Sequence, residues 1–181
     1  MTVLERGQAR EVLMRLAGWH RDTAMLQLSV GARFGEIAGL TPHDVLAGPR
    51  LQIVRRVWMS KTVRATKNHR RRTLDLPRLA VSTVERLVGL WEYLPDPIPS
   101  LEDREWDAAR WRGHWLVQTS TGRPPNLASY NRALKEACEA VGVPKVSSHG
   151  LRHTYVSWMI DDGHSADKIA FWIGDTPETV R

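Results

Sequence analysis

The sequence predicts an α+β fold, mostly helical, with one small antiparallel sheet that carries a basic hairpin. Three observations predict it. The first forty residues and the last fifty-odd place apolar residues at helical intervals, residues 51–76 switch to β-rich alternation, and no internal repeat or low-complexity tract interrupts them. With 181 residues, 42% of them hydrophobic and 25% charged, the chain has enough apolar mass for a real core, and one domain over residues 1–181 is the expectation.

Taken in order, LERGQAREVLMRLAG sets Leu4, Val12, Leu13 and Leu16 at helical spacing, and DTAMLQLSVG repeats the pattern with Ala24, Met25, Leu28 and Val30. ARFGEIAGLTPHDV gives a short apolar helix that stops near Gly39, because Thr41 and Pro42 start a turn. LQIVRRVW and RRTLDL read as strands, with polar KTVRATKN between them as the hairpin. Helix resumes at LAVSTVERLVGLWEYL and gives way to a loop at PDPIPS and acidic LEDREWD. WLVQTSTGRPPN predicts a short strand and turn. Helices follow from Asn126 to Val141, from Ser148 to about Asp162 and from Ser165 to Ile173.

Composition narrows the function classes. Lys and Arg total 26 against 20 Asp and Glu, a formal net charge of +6, which favours a polyanionic partner and nucleic acid before an anionic membrane. The one cysteine, Cys138, excludes a disulfide framework within the chain and suits a reducing compartment, with Cys138 itself as a small core residue. No apolar run is long enough to span a bilayer, and no signal-like segment opens the chain, so a cytoplasmic protein is expected.

The charge is unevenly placed. Between Asp44 and Asp75 there is no acidic residue, while the interval holds Arg50, Arg55, Arg56, Lys61, Arg64, Lys67, Arg70, Arg71 and Arg72. Taken alone such a run is usually a solvated face. On a hairpin, alternate side chains share a face, so cations at this density also suit a phosphate backbone. Most of the tryptophans fall at apolar positions and read as core rather than as stacking platforms for unpaired bases.

SSHGLRHTYVSWM raises the sharper question. Positions i, i+3 and i+4 share one side of a helix, so His149, Arg152 and His153 form a polar stripe while Leu151, Tyr155 and Trp158 face elsewhere. Ser147 or Ser148 is a good N-cap, which puts the stripe at a helix start, where cations are unfavourable unless an anion joins them. A phosphate resolves the conflict, with Arg152 as a two-pronged donor. The alternative is a capped turn, with Arg152 paired to an acid such as Asp161 or Asp162. The i, i+4 spacing of His149 and His153 also fits a zinc pair, but without a Glu after the first His or a convincing third ligand. Arg33 opens a second short helix, with Glu36 close behind to hold its guanidinium, and Lys67 falls near the hairpin tip.

In this order, the segments resemble the catalytic domain of tyrosine recombinases, the phage-integrase family. GARFGEIAGLTPHDV is similar to the family's first arginine box, TKNHRRRTLDLP to its lysine hairpin, and HGLRHTYVSWMIDDGHSADKIAFWIGD to its His-x-x-Arg box and following helix, with TSTGRPP and a helix in between. The resemblance implies that Arg33 and Arg152 clamp a scissile phosphate, that Lys67 protonates the departing 5′ oxygen, that His149 serves as acid or base, and that Glu36 orients Arg33. Arg64, Lys67, Arg70, Arg71, Arg72 and His153 are the expected DNA contacts. No metal or cofactor is required, since guanidinium groups supply the charge.

Two departures from the family pattern stand out. Asp175 occupies a position that usually holds His or Trp; a carboxylate only accepts hydrogen bonds, so Asp175 is expected to hold an arginine or a backbone donor rather than DNA. The family's nucleophilic tyrosine lies two to three helical turns beyond this point, and Tyr93, Tyr130 and Tyr155 lie in the wrong segments. The resemblance thus implies an isolated catalytic domain, lacking the N-terminal DNA-binding module and the C-terminal tyrosine segment. Such a chain is expected to bind double-stranded DNA at an attachment site but not to cleave it, and to be monomeric. Its full-length parent would be a homotetramer on DNA, working through a 3′-phosphotyrosine link in the nucleoid of a bacterial host. The competing expectation is a non-catalytic DNA-binding module or accessory regulator derived from an integrase.

Overall fold

The computed structural model describes residues 2–66, 71–98 and 105–180. Two compact units divide the chain: residues 1–34 with 127–181, and residues 35–126.

The first unit is helical. It consists of α1 (Arg6–Arg15), α2 (Gly18–Val30), α5 (Leu127–Val141), α6 (Ser148–Asp161), α7 (Ala166–Ile173) and the short α8 (Pro177–Val180). Helix α1 starts with a reciprocal cap: the Glu5 N–H donates to Gln8 Oε1 at 3.0 Å, which satisfies a donor that helix geometry leaves orphaned. The core gathers Leu4, Val12, Leu16 and Leu28 against Tyr130, Leu134, Cys138 and Leu151, as the 3.6-residue periodicity requires. The segment before α1 is tied to α6 by its backbone. The Leu4 N–H donates to Thr154 Oγ1 at 3.1 Å, and Trp158 Nε1 donates to the Leu4 carbonyl at 2.9 Å. Helix α2 ends at Gly31 with φ 61°, where a Cβ would lie 2.3 Å from Tyr155 Cδ1, so only glycine fits both the backbone and the space.

Helix α3 (Phe34–Ala38) carries the chain into the second unit, which holds the strands. A 3₁₀ turn at Pro42–Asp44 is braced by the Asp44 carboxylate, which accepts from the Thr41 N–H at 2.7 Å and from Arg55. Two three-stranded antiparallel sheets follow instead of the expected one. The first runs β1 (Val45–Leu46), β2 (Arg50–Ile53), β5 (Arg72–Asp75), and the second β3 (Arg55–Trp58), β4 (Thr62–Ala65), β6 (Trp106–Asp107). The cause is register. Ile53 pairs with Arg72 in β5 while Arg55 pairs with Ala65 in β4, so the stretches on either side of Val54 pair with different strands.

Three further expectations change in this unit. The β3–β4 turn is at Met59 and Ser60, both at positive φ (50° and 59°), a primed turn that matches strand twist without the Asn-Gly pair that would have announced it. Helix α4 (Arg78–Val88) ends at Gly89 rather than continuing through Leu94, leaving Leu90 and Tyr93 exposed. Trp115, Leu116 and Val117 are buried but form no strand. The Leu116 N–H donates to the Leu40 carbonyl at 2.8 Å, and burial of the three side chains does the rest.

Candidate active site

Helix α6 begins where the serines predicted it. Ser147 Oγ accepts from the Gly150 N–H at 3.3 Å, and the Ser148 N–H donates to Asn131 Oδ1 at 2.8 Å. From the first turn the Arg152 side chain runs inward and is 6% exposed. Its Nη1 donates to the carbonyls of Gly31 at 2.7 Å and Ile173 at 2.8 Å, the ends of α2 and α7, while Nη2 donates to Asp175 Oδ2 at 2.9 Å. A guanidinium can serve three acceptors in one plane; an ammonium cannot match that fork.

Arg33 reaches the same atom from the other side. Its Nη1 donates to the Gly174 carbonyl at 3.1 Å and its Nη2 to Asp175 Oδ2 at 2.6 Å. Asp175 follows Gly174, which ends α7 at φ 67° and turns the chain so that both the Gly174 carbonyl and the carboxylate meet the arginines. Partial burial pushes the Asp175 carboxyl up, but the charges of Arg33 and Arg152 outweigh it and hold the group below the ordinary carboxylate range. The structure therefore brings together Arg33, Arg152 and Asp175. Asp175 thus accepts from two arginines at once.

His149 and His153 stand edge to face, with ring centroids 4.3 Å apart, as i, i+4 spacing requires. His149 is exposed. His153 is half-buried, and its Nε2 is buried with no hydrogen-bond partner among the described residues. Desolvation lowers the His153 pKa, helped by the neighbouring His149 and Arg152. Tyr155, on the same helix, is buried, and burial pushes its hydroxyl up to about 12.

The second unit accounts for the remaining residues. Arg71 is exposed. Arg64 pairs with Glu105 at 2.6 Å and lies 5.9 Å from the centroid of Trp58, an exposed tryptophan. Arg72 corrects the expectation of a DNA contact. Strand alternation turns it inward with Leu74, its side chain is 3% exposed, and its two Nη atoms fork onto Glu36 at 3.1 and 2.6 Å. Glu36 is thus engaged by Arg72, a partner that sequence spacing gave no reason to choose. Lys67 and Arg70 lie outside the described residues. Sequence reasoning also missed the carbonyls of Gly31, Ile173 and Gly174, whose only signal is a glycine closing an apolar helix.

Comparison with known proteins adds the following. Residues 3–174 match the family model described as "Phage integrase family". None of the curated proteins matches the sequence. Among solved structures, the chain resembles the Tn1549 transposon integrase in complex with a circular intermediate DNA (16% identity, TM-score 0.78, 99% of this chain and 60% of that one). It also resembles XerA recombinase (14%, 0.72, 99% and 57%) and a lambda integrase dimer bound to a COC′ core site (13%, 0.66, 99% and 59%). At these identities the likeness is one of fold, and the chain spans about 60% of the length of the Tn1549 integrase. Among the described residues, no helix is long and apolar enough to cross a membrane.

Proposed function

The chain belongs to the phage integrase family, and on that premise we propose that it is the catalytic domain of a site-specific DNA recombinase, with Arg33 and Arg152 as the clamp on the scissile phosphate. One observation carries the reading: the two guanidinium groups converge on a single oxygen, Asp175 Oδ2, within 2.6 and 2.9 Å. Donors that meet at one carboxylate oxygen also suit one phosphoryl oxygen.

In this reading a tyrosine of the full-length protein attacks the phosphorus, the bond to the 5′ oxygen breaks, and a 3′-phosphotyrosine link conserves its energy for rejoining. His149 takes the phenolic proton, and Lys67 donates one to the 5′ oxygen. The arginines stabilise the charge of the five-coordinate transition state. None of the chain's own tyrosines suits the role. Tyr130 and Tyr155 are buried with their hydroxyls held above the ordinary tyrosine range, and Tyr93 lies in the second unit. This chain is therefore expected to bind DNA without forming a covalent adduct.

DNA recognition would draw on the exposed Arg71 and on Arg64, Lys67, Arg70 and His153. The full-length protein would assemble as a tetramer on DNA, while this chain is expected to be monomeric. Its place would be the bacterial cytoplasm, at the nucleoid. The alternative, a DNA-binding module without strand transfer, is favoured by Asp175 standing on the two arginines. A nicked suicide duplex separates the two. Offered to this chain and to a natural longer form, it is expected to be bound by both and to yield covalent adduct only with the longer, and only with Arg33 and Arg152 intact. Adduct formation that survives Arg152→Ala would remove the recombinase reading, and none with the longer form would favour the alternative.

A further inference from the structure

The site as built contains its own anion. Arg152 is gripped from behind by two carbonyls and Arg33 by one, so neither guanidinium is free to follow a ligand outward; both are held with Nη2 toward Asp175. Against Arg152 the carboxylate is the more exposed partner, at 24% to 6%, while Arg33 is about as exposed as the carboxylate, at 28%. A carboxylate oxygen and a non-bridging phosphate oxygen make the same demand on a guanidinium, an in-plane N–H, and each carries negative charge. Two such anions cannot share these N–H groups without facing one another at contact distance, where like charges repel strongly in a partly buried site. Asp175 also has somewhere to go. Its Oδ1 already lies 3.5 Å from the Thr179 hydroxyl, which donates toward it from α8.

From this arrangement we propose that Asp175 is an internal competitor of the scissile phosphate, occupying the shared Arg33 and Arg152 donors until a phosphodiester displaces it. It rests on the recombinase reading and adds a threshold to it: an anion held in place by further contacts along the DNA displaces a carboxylate tethered to the same backbone at far lower concentration than a free phosphate does. Asp175 is then a regulatory residue that acts through the arginines, not a catalytic residue.

The test measures binding of inorganic phosphate and of a random-sequence duplex to the wild type, Asp175→Asn, Arg152→Gln and the double variant, with Asp167→Asn on the exposed face of α7 as the control for loss of one negative charge. Asp175→Asn is expected to bind both ligands about tenfold more tightly or better, the scale on which a neighbouring charge shifts an ionic equilibrium. The control should stay within about twofold, and the gain should vanish in the Arg152→Gln background. A folded Asp175→Asn with unchanged or weaker affinity overturns the competition while the clamp survives, provided Arg152→Gln still binds less well. If Arg152→Gln binds both ligands like the wild type, the clamp itself fails. Carboxyl carbon resonances of the unmutated chain give a reading that needs no variant. The Asp175 signal should move as phosphate or duplex saturates the site, and a signal that stays fixed at saturation overturns the proposal.

Discussion

Arg33 and Arg152, from opposite ends of the chain, donate to the same atom, Asp175 Oδ2. The convergence depends on glycine at two helix ends: Gly31 closes α2 and Gly174 closes α7, and both present carbonyls to the arginines. The site is therefore sensitive to changes that remove no charge.

Arg152→Lys keeps the charge and loses the fork. An ammonium at this depth cannot serve the Gly31 and Ile173 carbonyls and Asp175 together. Stability is expected to fall by about 2 kcal/mol, the cost of leaving buried acceptors unpaired, and phosphate affinity at least severalfold. Denaturant melts and phosphate titrations check this. A variant as stable as the wild type would mean that the fork contributes little.

Gly31→Ala should destabilise by about 3 kcal/mol, because the new Cβ meets Tyr155 and the backbone is left-handed. Gly48, also at positive φ but with nothing within 4 Å, is the comparison, expected to lose about 1 kcal/mol on the same change. Equal losses at the two sites would deny that packing against Tyr155 matters.

Tyr130→Phe is expected to be neutral or to stabilise by about 1 kcal/mol. The Tyr130 hydroxyl is fully buried with no hydrogen-bond partner among the described residues, and burial alone raises its pKa well above the ordinary value. Thermal melts of the two proteins measure the difference. A clear loss would reveal a partner for the hydroxyl.

Arg71→Ala and Arg72→Met separate surface from core. The exposed Arg71 should weaken duplex binding, with a shallower salt dependence and an unchanged melt. Arg72→Met removes the forked partner of Glu36, which is 1% exposed, and should cost about 3 kcal/mol or more. If Arg72→Met melted normally but bound DNA poorly, Arg72 would be a DNA contact after all.

Acid should weaken the fold through His153. Its pKa is lowered in the folded state, chiefly by desolvation, so the unfolded chain takes up the proton first. The contribution is complete above the ordinary histidine value near 6.5 and is lost as pH falls through the lowered folded value. Melting temperature should therefore drop more steeply below pH 6.5 in the wild type than in His153→Gln. Parallel curves would assign the acid sensitivity elsewhere.

Residue patterns that act within one or two helical turns were legible. Ser147 capping α6, the end of α7 at Ile173 and Tyr155 as a core residue follow from local spacing and chemistry. The primed turn at Met59 and Ser60 was not legible, since neither residue prefers positive φ and the strands impose it. Nor was the split of the sheet, because it depends on which strands the residues on either side of Val54 pair with, and one of those pairings joins distant segments.

By itself, the sequence determined the family, the helical course of both ends and the side chains proposed to bind a phosphate, because periodicity and side-chain chemistry are local properties. Tertiary structure decided which cations face solvent and which are already spoken for. Arg72 and Arg71 are neighbours with the same side chain, yet strand alternation buries one on Glu36 and leaves the other in solvent. The partner of Arg33 and Arg152 was likewise settled in space, since an ion pair is chosen by distance and desolvation rather than by position along the chain.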